Sequence, residues 1–486
     1  MNHTAKKTKI VATLGPVSSN PETICQLIEA GVNVLRLNFS HGSHDIHEET
    51  IGHILQCRQD MNMRPSILAD LQGPKIRMGV NEDEEGNDGI AVEEGEEVKF
   101  TTNESKADPR NKIFHVKLNS FAEDVQLSHR VLIDDGKMQF KVLETDGSEI
   151  VTLQALNGGL VKSKKGVNLP DTKISVPSLT DKDSKDLDFI LTQPVDWLAL
   201  SFVRSAKDIN ELRKRVEAKG KTMKIVAKIE KPEALHHIEE IVMATDAVMV
   251  ARGDLGVEIP FEKVPLAQKK IVDLCIKHAK PVIIATQVME SMIKNPTPTR
   301  AEITDVANVV LQGADAVMLS GETSVGDYPV EVVETIAKTV LEIENEAEIY
   351  DKNLTPNHES ESVLADAICF NAAKISQDLD ADAIVVMTKS GLTANLVASY
   401  RPHAAIYAFT DQQEILTRLS LLWGVKAFFY DGKVATDEAL PEINNILKIK
   451  GLVKPGNIVI NTASMPVHSF GSTNMIKVSR IKEHGN

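Results

Sequence analysis

Short apolar, β-branched runs alternate with longer segments of helical period through the first two thirds of the chain, the pattern of a parallel sheet covered by helices. Eight runs fit: "KIVATLG" from Lys9, "VNVLRLNFS" from Val32, "SILADL" from Ser66, "WLALSFV" from Trp197, "KIVAKIE" from Lys224, "AVMVARGD" from Ala247, "PVIIAT" from Pro281 and "AVMLSGET" from Ala316. Helical segments follow most of them, as at residues 21–30 and 261–279. Eight such units are the number that closes a (β/α)8, or TIM, barrel.

The alternation breaks after the third strand. Residues 82–97, "EDEEGNDGIAVEEGEE", hold nine acids and no base, and read as a solvated face. Short alternating runs such as "RVLIDDGKMQFKVLE" follow, which predict antiparallel strands and hence a small β-barrel domain inserted into the larger one. After the eighth helix "YDKNLTPNHESES" is polar without an apolar period and reads as a linker. Beyond it "AIVVMT", "AIYAFT", "VKAFFY" and "NIVIN" alternate with helical segments, as in an open α/β sheet. The expected division is a barrel from residues 1–72 and 171–346, an inserted β-domain at 73–170, and a C-terminal α/β domain at 347–486.

In barrels of this kind the chemistry sits at the C-terminal ends of the strands. Those ends are polar here: Arg36, Asn38 and Ser40 on the second, Asp70 on the third, Ser201 on the fourth, Lys228 and Glu230 on the fifth, Arg252, Gly253 and Asp254 on the sixth, Thr286 on the seventh, and Ser320 and Glu322 on the eighth. Lys228 and Glu230 are two residues apart, so an extended strand turns both to one side across about 6.6 Å of rise. A structural ion pair explains one such end but not a ring of them around one mouth. Glu230 and Asp254 on adjacent strands make a sparse oxygen site of the kind Mg²⁺ accepts when substrate supplies its other ligands. An ammonium beside it suits a phosphoryl group in flight or an enolate oxygen. Arg36 and Arg77 add fork donors for phosphate or carboxylate. No GxxxxGK[ST] loop is present, so a nucleotide would be held in another way.

Charge and cysteine content narrow the class. The chain has 486 residues and a formal charge of −15, from 54 basic and 69 acidic side chains, which disfavours nucleic acid and anionic membrane as partners. The cysteines at 25, 57, 275 and 369 form no CxxC pair, and the expectation is small buried hydrophobes with no disulfide framework. "MNHTAKKTKI" has no apolar stretch behind its basic residues, and nothing approaches 18 apolar residues, so a cytoplasmic location is expected.

Seven stretches then resemble the pyruvate kinase family: "LRLNFSHG" at 35–42, "GPKIR" at 73–77, "KKGVNLP" at 164–170, "KIE" at 228–230, "MVARGDLGVEIP" at 249–260, "ATQVMESM" at 285–292 and "LSGET" at 319–323. The resemblance covers essentially the whole length. It implies phosphoryl transfer from phosphoenolpyruvate to ADP, giving ATP and an enolate that is protonated to pyruvate. By position it implies Mg²⁺ (or Mn²⁺) on Glu230 and Asp254, and Lys228 stabilising the transferring group and enolate. Arg36 would orient the phosphoryl group, and Thr286, through water and Ser320, would deliver the proton. The substrate carboxylate would meet the backbone N–H groups of "ARGD", at Gly253 and Asp254, and ADP would lie near Pro16, His41, Arg77 and Lys165 under the inserted domain as a lid.

Members that require K⁺ resemble "DTKGPEIR" in the third-strand motif; here Lys75 replaces the glutamate, and Leu71 and Gln72 also depart. Asn38, Ser40 and Asp70 match the family's K⁺ ligands, and the Lys75 ammonium could stand in for the ion, so activity without K⁺ is expected. At "MTKSGLT", 387–393, the residues Thr388, Lys389, Ser390 and Thr393 make a candidate phosphate cradle. Here the resemblance implies an allosteric sugar-phosphate or nucleotide effector, with "GSTN" at 471–474 closing over it. An ordinary turn capped by Ser390 is the alternative. The family also implies a homotetramer. Two other functions fit part of the pattern. A metal-dependent carbon–carbon lyase would not need the lid with "KKGVNLP", and a silent metabolite sensor would not need intact Lys228, Glu230, Asp254 and Thr286.

Overall fold

The computed structural model describes residues 6–82, 85–346, 349–350, 354–357, 362–432, 436–465 and 473–483. The eight apolar runs all form strands: Lys9–Thr13, Val34–Asn38, Ser66–Asp70, Trp197–Leu200, Lys224–Ile229, Ala247–Ala251, Val282–Ala285 and Ala316–Leu319. Each pairs in parallel with the next, and the eighth with the first, so the sheet closes into a barrel. The runs are apolar throughout because both faces are covered. Val11, Val34, Leu68, Ala199, Val226, Met249, Ile283 and Met318 pack inside, while their neighbours in sequence, such as Ile10, Leu35 and Ile225, pack outward against helices. The predicted helix Pro21–Ala30 is present, capped by Asn20 and ended by Gly31 at φ 118°. The segment at 261–279 splits into a 3₁₀ turn, Phe261–Lys263, and the helix Val264–Lys277.

Contrary to the expectation of four unpaired cysteines, Cys25 and Cys57 form a disulfide with Cα atoms 5.7 Å apart. They lie on adjacent helices, Pro21–Ala30 and His44–Met61, 32 residues apart in sequence, so spacing gave no hint of their approach. Cys275 and Cys369 are buried free thiols, as expected.

The insert is a half-barrel. Its six-stranded sheet runs Val167–Asn168, Arg130–Ile133, Met138–Thr145, Ile150–Ala155, Glu97–Thr101, Ile113–His115, and a ribbon pairs Ile90–Val92 with Gly159–Val161. Phe100, Phe114, Phe121 and Phe140 fill its core. In the acid run, residues 85–88, 93–95 and 97 are exposed, as a solvated face requires; residues 83 and 84 lie outside the described residues.

The C-terminal domain has the predicted strands Ala383–Met387, Ala405–Thr410, Val425–Phe429 and Ile458–Ala463, and a fifth, Met475–Arg480, antiparallel at the edge. Numbered in chain order they stand 3-2-1-4-5, so the order reverses beside Ala383–Met387. The domain docks on the base of the barrel. Leu421 joins Trp197 in the interior cluster, Arg401 pairs with Asp315 at 3.0 Å, and Lys9 Nζ donates to the Val425 carbonyl at 2.9 Å.

Candidate active site

The polar mouth follows from the same alternation that builds the apolar interior. Val34, Leu68, Ala199 and Val226 face inward, so Arg36, Asp70, Ser201 and Lys228, each two residues on, face inward too and form the layer above them. Glu230 continues that parity just past the fifth strand.

Asp70 sits between two cations. Arg36 donates to its Oδ2 through Nε at 2.7 Å and through NH2 at 2.6 Å, and Lys228 Nζ lies 3.3 Å from its Oδ1. The remaining Arg36 nitrogen, NH1, donates to Thr13 Oγ1 at 2.9 Å, so the guanidinium is held rigidly. Lys228 also reaches Glu230 Oε1 at 3.0 Å and donates to Ser201 Oγ at 2.7 Å. Burial opposes charge on Lys228, but Asp70 and Glu230 outweigh it and raise the ammonium pKa above its ordinary value. Burial likewise opposes charge on Asp70, and there Lys228 and Arg36 prevail and lower the carboxyl pKa. Glu230 is different. Burial, with the nearby charge of Asp254, pushes it up against the pull of Lys228 and the Phe202 N–H, which donates at 2.7 Å. One ammonium shared by two carboxylates serves Asp70, which also has Arg36, better than Glu230.

Glu230 is therefore a carboxylate short of positive charge, with Asp254 beside it. Two hard oxygen donors so placed fit a divalent cation that takes its other ligands from substrate and water. Among the described residues no group of three or more His, Cys, Asp or Glu side chains comes together as a metal cage.

Across the mouth, Thr286 and Gln287 hold positive φ of 65° and 54°, an uncommon conformation for side chains other than glycine. Arg252 keeps them there. Its guanidinium pairs with Asp305 at 2.7 and 2.9 Å and donates to the carbonyls of Thr286 (3.0 Å) and Gln287 (2.7 Å). Thr286 Oγ1 donates to the Ala285 carbonyl at 2.6 Å and accepts the Gly253 N–H at 2.7 Å, so that N–H, expected to meet a substrate carboxylate, has an internal partner. Buried Glu322 accepts the N–H groups of Ser320 (2.7 Å) and Met289 (3.1 Å), joining the ends of the seventh and eighth strands. Thr13, Ser201, Phe202, Arg252 and Glu322 thus hold the site together without a role read from sequence. Thr13 shares parity with inward Val11, a signal that was there to be used. Asp305, on helix Arg300–Gln312, left none.

The nucleotide candidates are spread over two bodies. Pro16 and His41 are exposed on loops after the first and second strands, whereas Arg77 and Lys165 belong to the lid. There Arg77 donates to the Lys164 carbonyl at 3.2 Å and Lys165 pairs with Asp134 at 2.9 Å. Of the monovalent-cation candidates, Asn38 Oδ1 accepts the Ser40 N–H at 3.1 Å and Asp70 is paired as above. Lys75 points to a different acid: its Nζ lies 3.6 Å from Asp254 Oδ1, and among the described residues no ion pair joins it to Asp70.

The effector candidates follow strand Ala383–Met387, at the point where the sheet order reverses and open α/β sheets bind ligands. Thr388 Oγ1 accepts the Gly391 N–H at 2.9 Å, Ser390 Oγ accepts the Leu392 N–H at 3.4 Å, and Lys389 is exposed. Ser390 thus does serve the turn. Thr393 Oγ1 meets Thr473 Oγ1 at 2.6 Å, which brings part of "GSTN" onto this loop; Gly471 and Ser472 lie outside the described residues.

Residues 5–333 match the family model described as pyruvate kinase, barrel domain, and residues 366–479 the one described as pyruvate kinase, alpha/beta domain. The chain is 43% identical over 481 residues to a pyruvate kinase of Geobacillus stearothermophilus, covering 98% of this chain and 81% of the relative. It is 41% identical over 474 residues to a pyruvate kinase of Corynebacterium glutamicum, covering 97% of each. Among solved structures, a pyruvate kinase from Cryptosporidium parvum superposes with a TM-score of 0.90 at 33% identity, covering 99% of this chain and 97% of that one.

Proposed function

The chain belongs to the pyruvate kinase family, and from that premise we propose how its own residues carry phosphoryl transfer from phosphoenolpyruvate to ADP, with Mg²⁺ on Glu230 and Asp254. The observation that carries the reading is the buried Lys228 ammonium, kept charged between Asp70 and Glu230 at the mouth of the barrel.

A bound divalent cation would neutralise charge on the transferring phosphoryl group and on the enolate oxygen, and Mn²⁺ would serve the same donors. Arg36, immobilised by Thr13 and Asp70, offers its remaining N–H hydrogens to the phosphoryl oxygens. A terminal oxygen of ADP attacks phosphorus as the bond to the enol oxygen breaks, and Lys228 stabilises the negative charge left on that oxygen. The enolate carbon then takes a proton, delivered from the Thr286 side through water with Ser320 adjacent. The substrate carboxylate meets the first turn of helix Arg252–Glu258, where it would take over the Gly253 N–H now held by Thr286.

ADP lies between Pro16 and His41 on the barrel and Arg77 and Lys165 on the lid. Closure excludes water, so transfer outcompetes hydrolysis. The fixed charge of Lys75 at the mouth supports turnover without K⁺, with Asn38, Ser40 and Asp70 as the region a monovalent cation would otherwise occupy. The switch-point loop with Thr388, Lys389, Ser390 and Thr393 takes a phosphorylated effector, sugar phosphate or nucleotide. The boundaries 1–72 with 171–346, 73–170 and 347–486 are our division of the chain. A homotetramer in the cytoplasm completes the reading; among the described residues no helix is long and apolar enough to cross a membrane.

Phosphorus NMR of phosphoenolpyruvate, ADP and Mg²⁺ with the enzyme tests it. The γ-phosphate of ATP should appear one for one as the substrate signal falls. Inorganic phosphate in its place, or carbon–carbon cleavage without ATP, would refute it.

A further inference from the structure

Behind the mouth lies a buried ion pair that the reaction as described does not use. Lys231 Nζ is 2.6 Å from Glu258 Oε1, and their side chains are 8% and 1% exposed. A buried pair is weak grounds for stability, since two well-packed apolar residues often serve as well, so its position in the chain becomes the informative feature. Lys231 directly follows Glu230. Glu258 ends the helix Arg252–Glu258 whose first turn carries Asp254. The pair therefore ties the strand end that holds one metal-binding carboxylate to the helix that holds the other.

A third segment meets the same oxygen. Asn168, on the lid strand Val167–Asn168, donates its Nδ2 to Glu258 Oε1 at 2.8 Å. The other oxygen, Oε2, is buried and has no donor among the described residues, so the polar contacts of this carboxylate are those to Lys231 and Asn168 on its Oε1. Alongside, a cavity of about 30 Å³ is lined by Lys75, Ile76, Val167 and Asn168 of the lid stems and by Phe202 and Lys231 of the barrel. The two stems are themselves joined, the Val167 N–H donating to the Ile76 carbonyl at 3.0 Å, and Ile76 and Val167 both pack in the lid core, so Asn168 is carried by the lid as one body.

We propose that Glu258 is a positioning residue: with Lys231 it sets the spacing of Glu230 and Asp254, and through Asn168 it makes that spacing respond to the lid. This rests on reading Glu230 and Asp254 as the metal-binding carboxylates. Partners in the second layer around a metal commonly govern affinity by tenfold or more.

The test is Mn²⁺ binding to the full-length protein without substrates, followed by the electron paramagnetic resonance of free Mn²⁺, for wild type, Glu230→Gln, Glu258→Gln and Asn168→Ala. Glu230→Gln should lose binding. Glu258→Gln should weaken it by about tenfold or more, and Asn168→Ala by about threefold. Asn168 is half-buried on the lid and touches neither metal-binding carboxylate, so a merely structural role would leave its Mn²⁺ affinity unmoved, and it decides the matter if Glu258→Gln fails to fold. Folded variants that bind Mn²⁺ within about twofold of wild type, while Glu230→Gln has lost it, would overturn this inference alone. Full binding by Glu230→Gln would overturn the metal reading and this inference with it.

Discussion

Replacing Lys228 with methionine keeps an unbranched stem of similar bulk and removes the ammonium. The consequences fall unequally on its partners. Asp70 keeps Arg36, at 2.6 and 2.7 Å, whereas Glu230 is left with the Phe202 N–H at 2.7 Å and the repulsion of Asp254. An uncompensated buried carboxylate costs about 3–5 kcal/mol, which protonating Glu230 would relieve. Burial already raises its pKa, Lys228 holds it down, and losing Lys228 raises it further. A carboxyl whose folded pKa exceeds its unfolded value destabilises as pH rises through that interval, so the melting-temperature gap between wild type and Lys228→Met should widen from acid toward neutral pH. In the reaction the loss is that of one preorganised charge at a developing anion, about 10²–10³ in kcat, or roughly 3–4 kcal/mol of barrier. Metal affinity should stay within about tenfold near neutral pH and fall on acidification, as a proton competes for Glu230. Calorimetry reads the first effect, coupled pyruvate formation the second and Mn²⁺ resonance the third. Turnover within about threefold of wild type in a folded variant would refute the role of Lys228.

Three further outcomes are expected. Wild-type turnover in K⁺-free buffer should be little changed by KCl, while Lys75→Glu should gain about tenfold or more on adding it, as expected where an ion replaces a tethered charge; a wild-type rate that climbs by orders of magnitude with KCl would show that Lys75 does not replace the ion. Thr286→Ala should slow exchange of the pyruvate methyl protons into D₂O by about 10²-fold, and unchanged exchange would remove Thr286 from proton delivery. At the base of the barrel, burial lowers Lys6 to about 7 and Lys9 to about 8 from the ordinary 10.5, so the unfolded chain binds protons the folded one releases. The urea midpoint should therefore rise between about pH 7 and 10, less steeply in Lys6→Met; a flat wild-type profile would contradict the burial of these charges.

What was legible in sequence followed from burial. Strands covered on both faces must be continuously apolar, which is why all eight barrel strands and four in the last domain could be picked out. An inward parity ending in Arg36, Asp70 or Lys228 likewise exposes a site. Met475–Arg480 escaped notice because its short mixed pattern, "MIKVSR", is that of a half-exposed edge strand. Partnerships between elements left no local trace. The Arg252–Asp305 brace, the Cys25–Cys57 bond and the Arg401–Asp315 pair join residues 53, 32 and 86 apart. The positive φ of Thr286 was also hidden, since a β-branched residue predicts the opposite; only its surroundings hold it there.

The most direct measurement is steady-state pyruvate formation from phosphoenolpyruvate in K⁺-free buffer, with Mg²⁺ and ADP each omitted in turn. Rapid turnover that needs both, with ATP formed one for one, is the expected result. Pyruvate released without ADP, or no turnover even after KCl is added, would contradict the assignment of Lys228, Glu230 and Asp254 as a phosphoryl-transfer site.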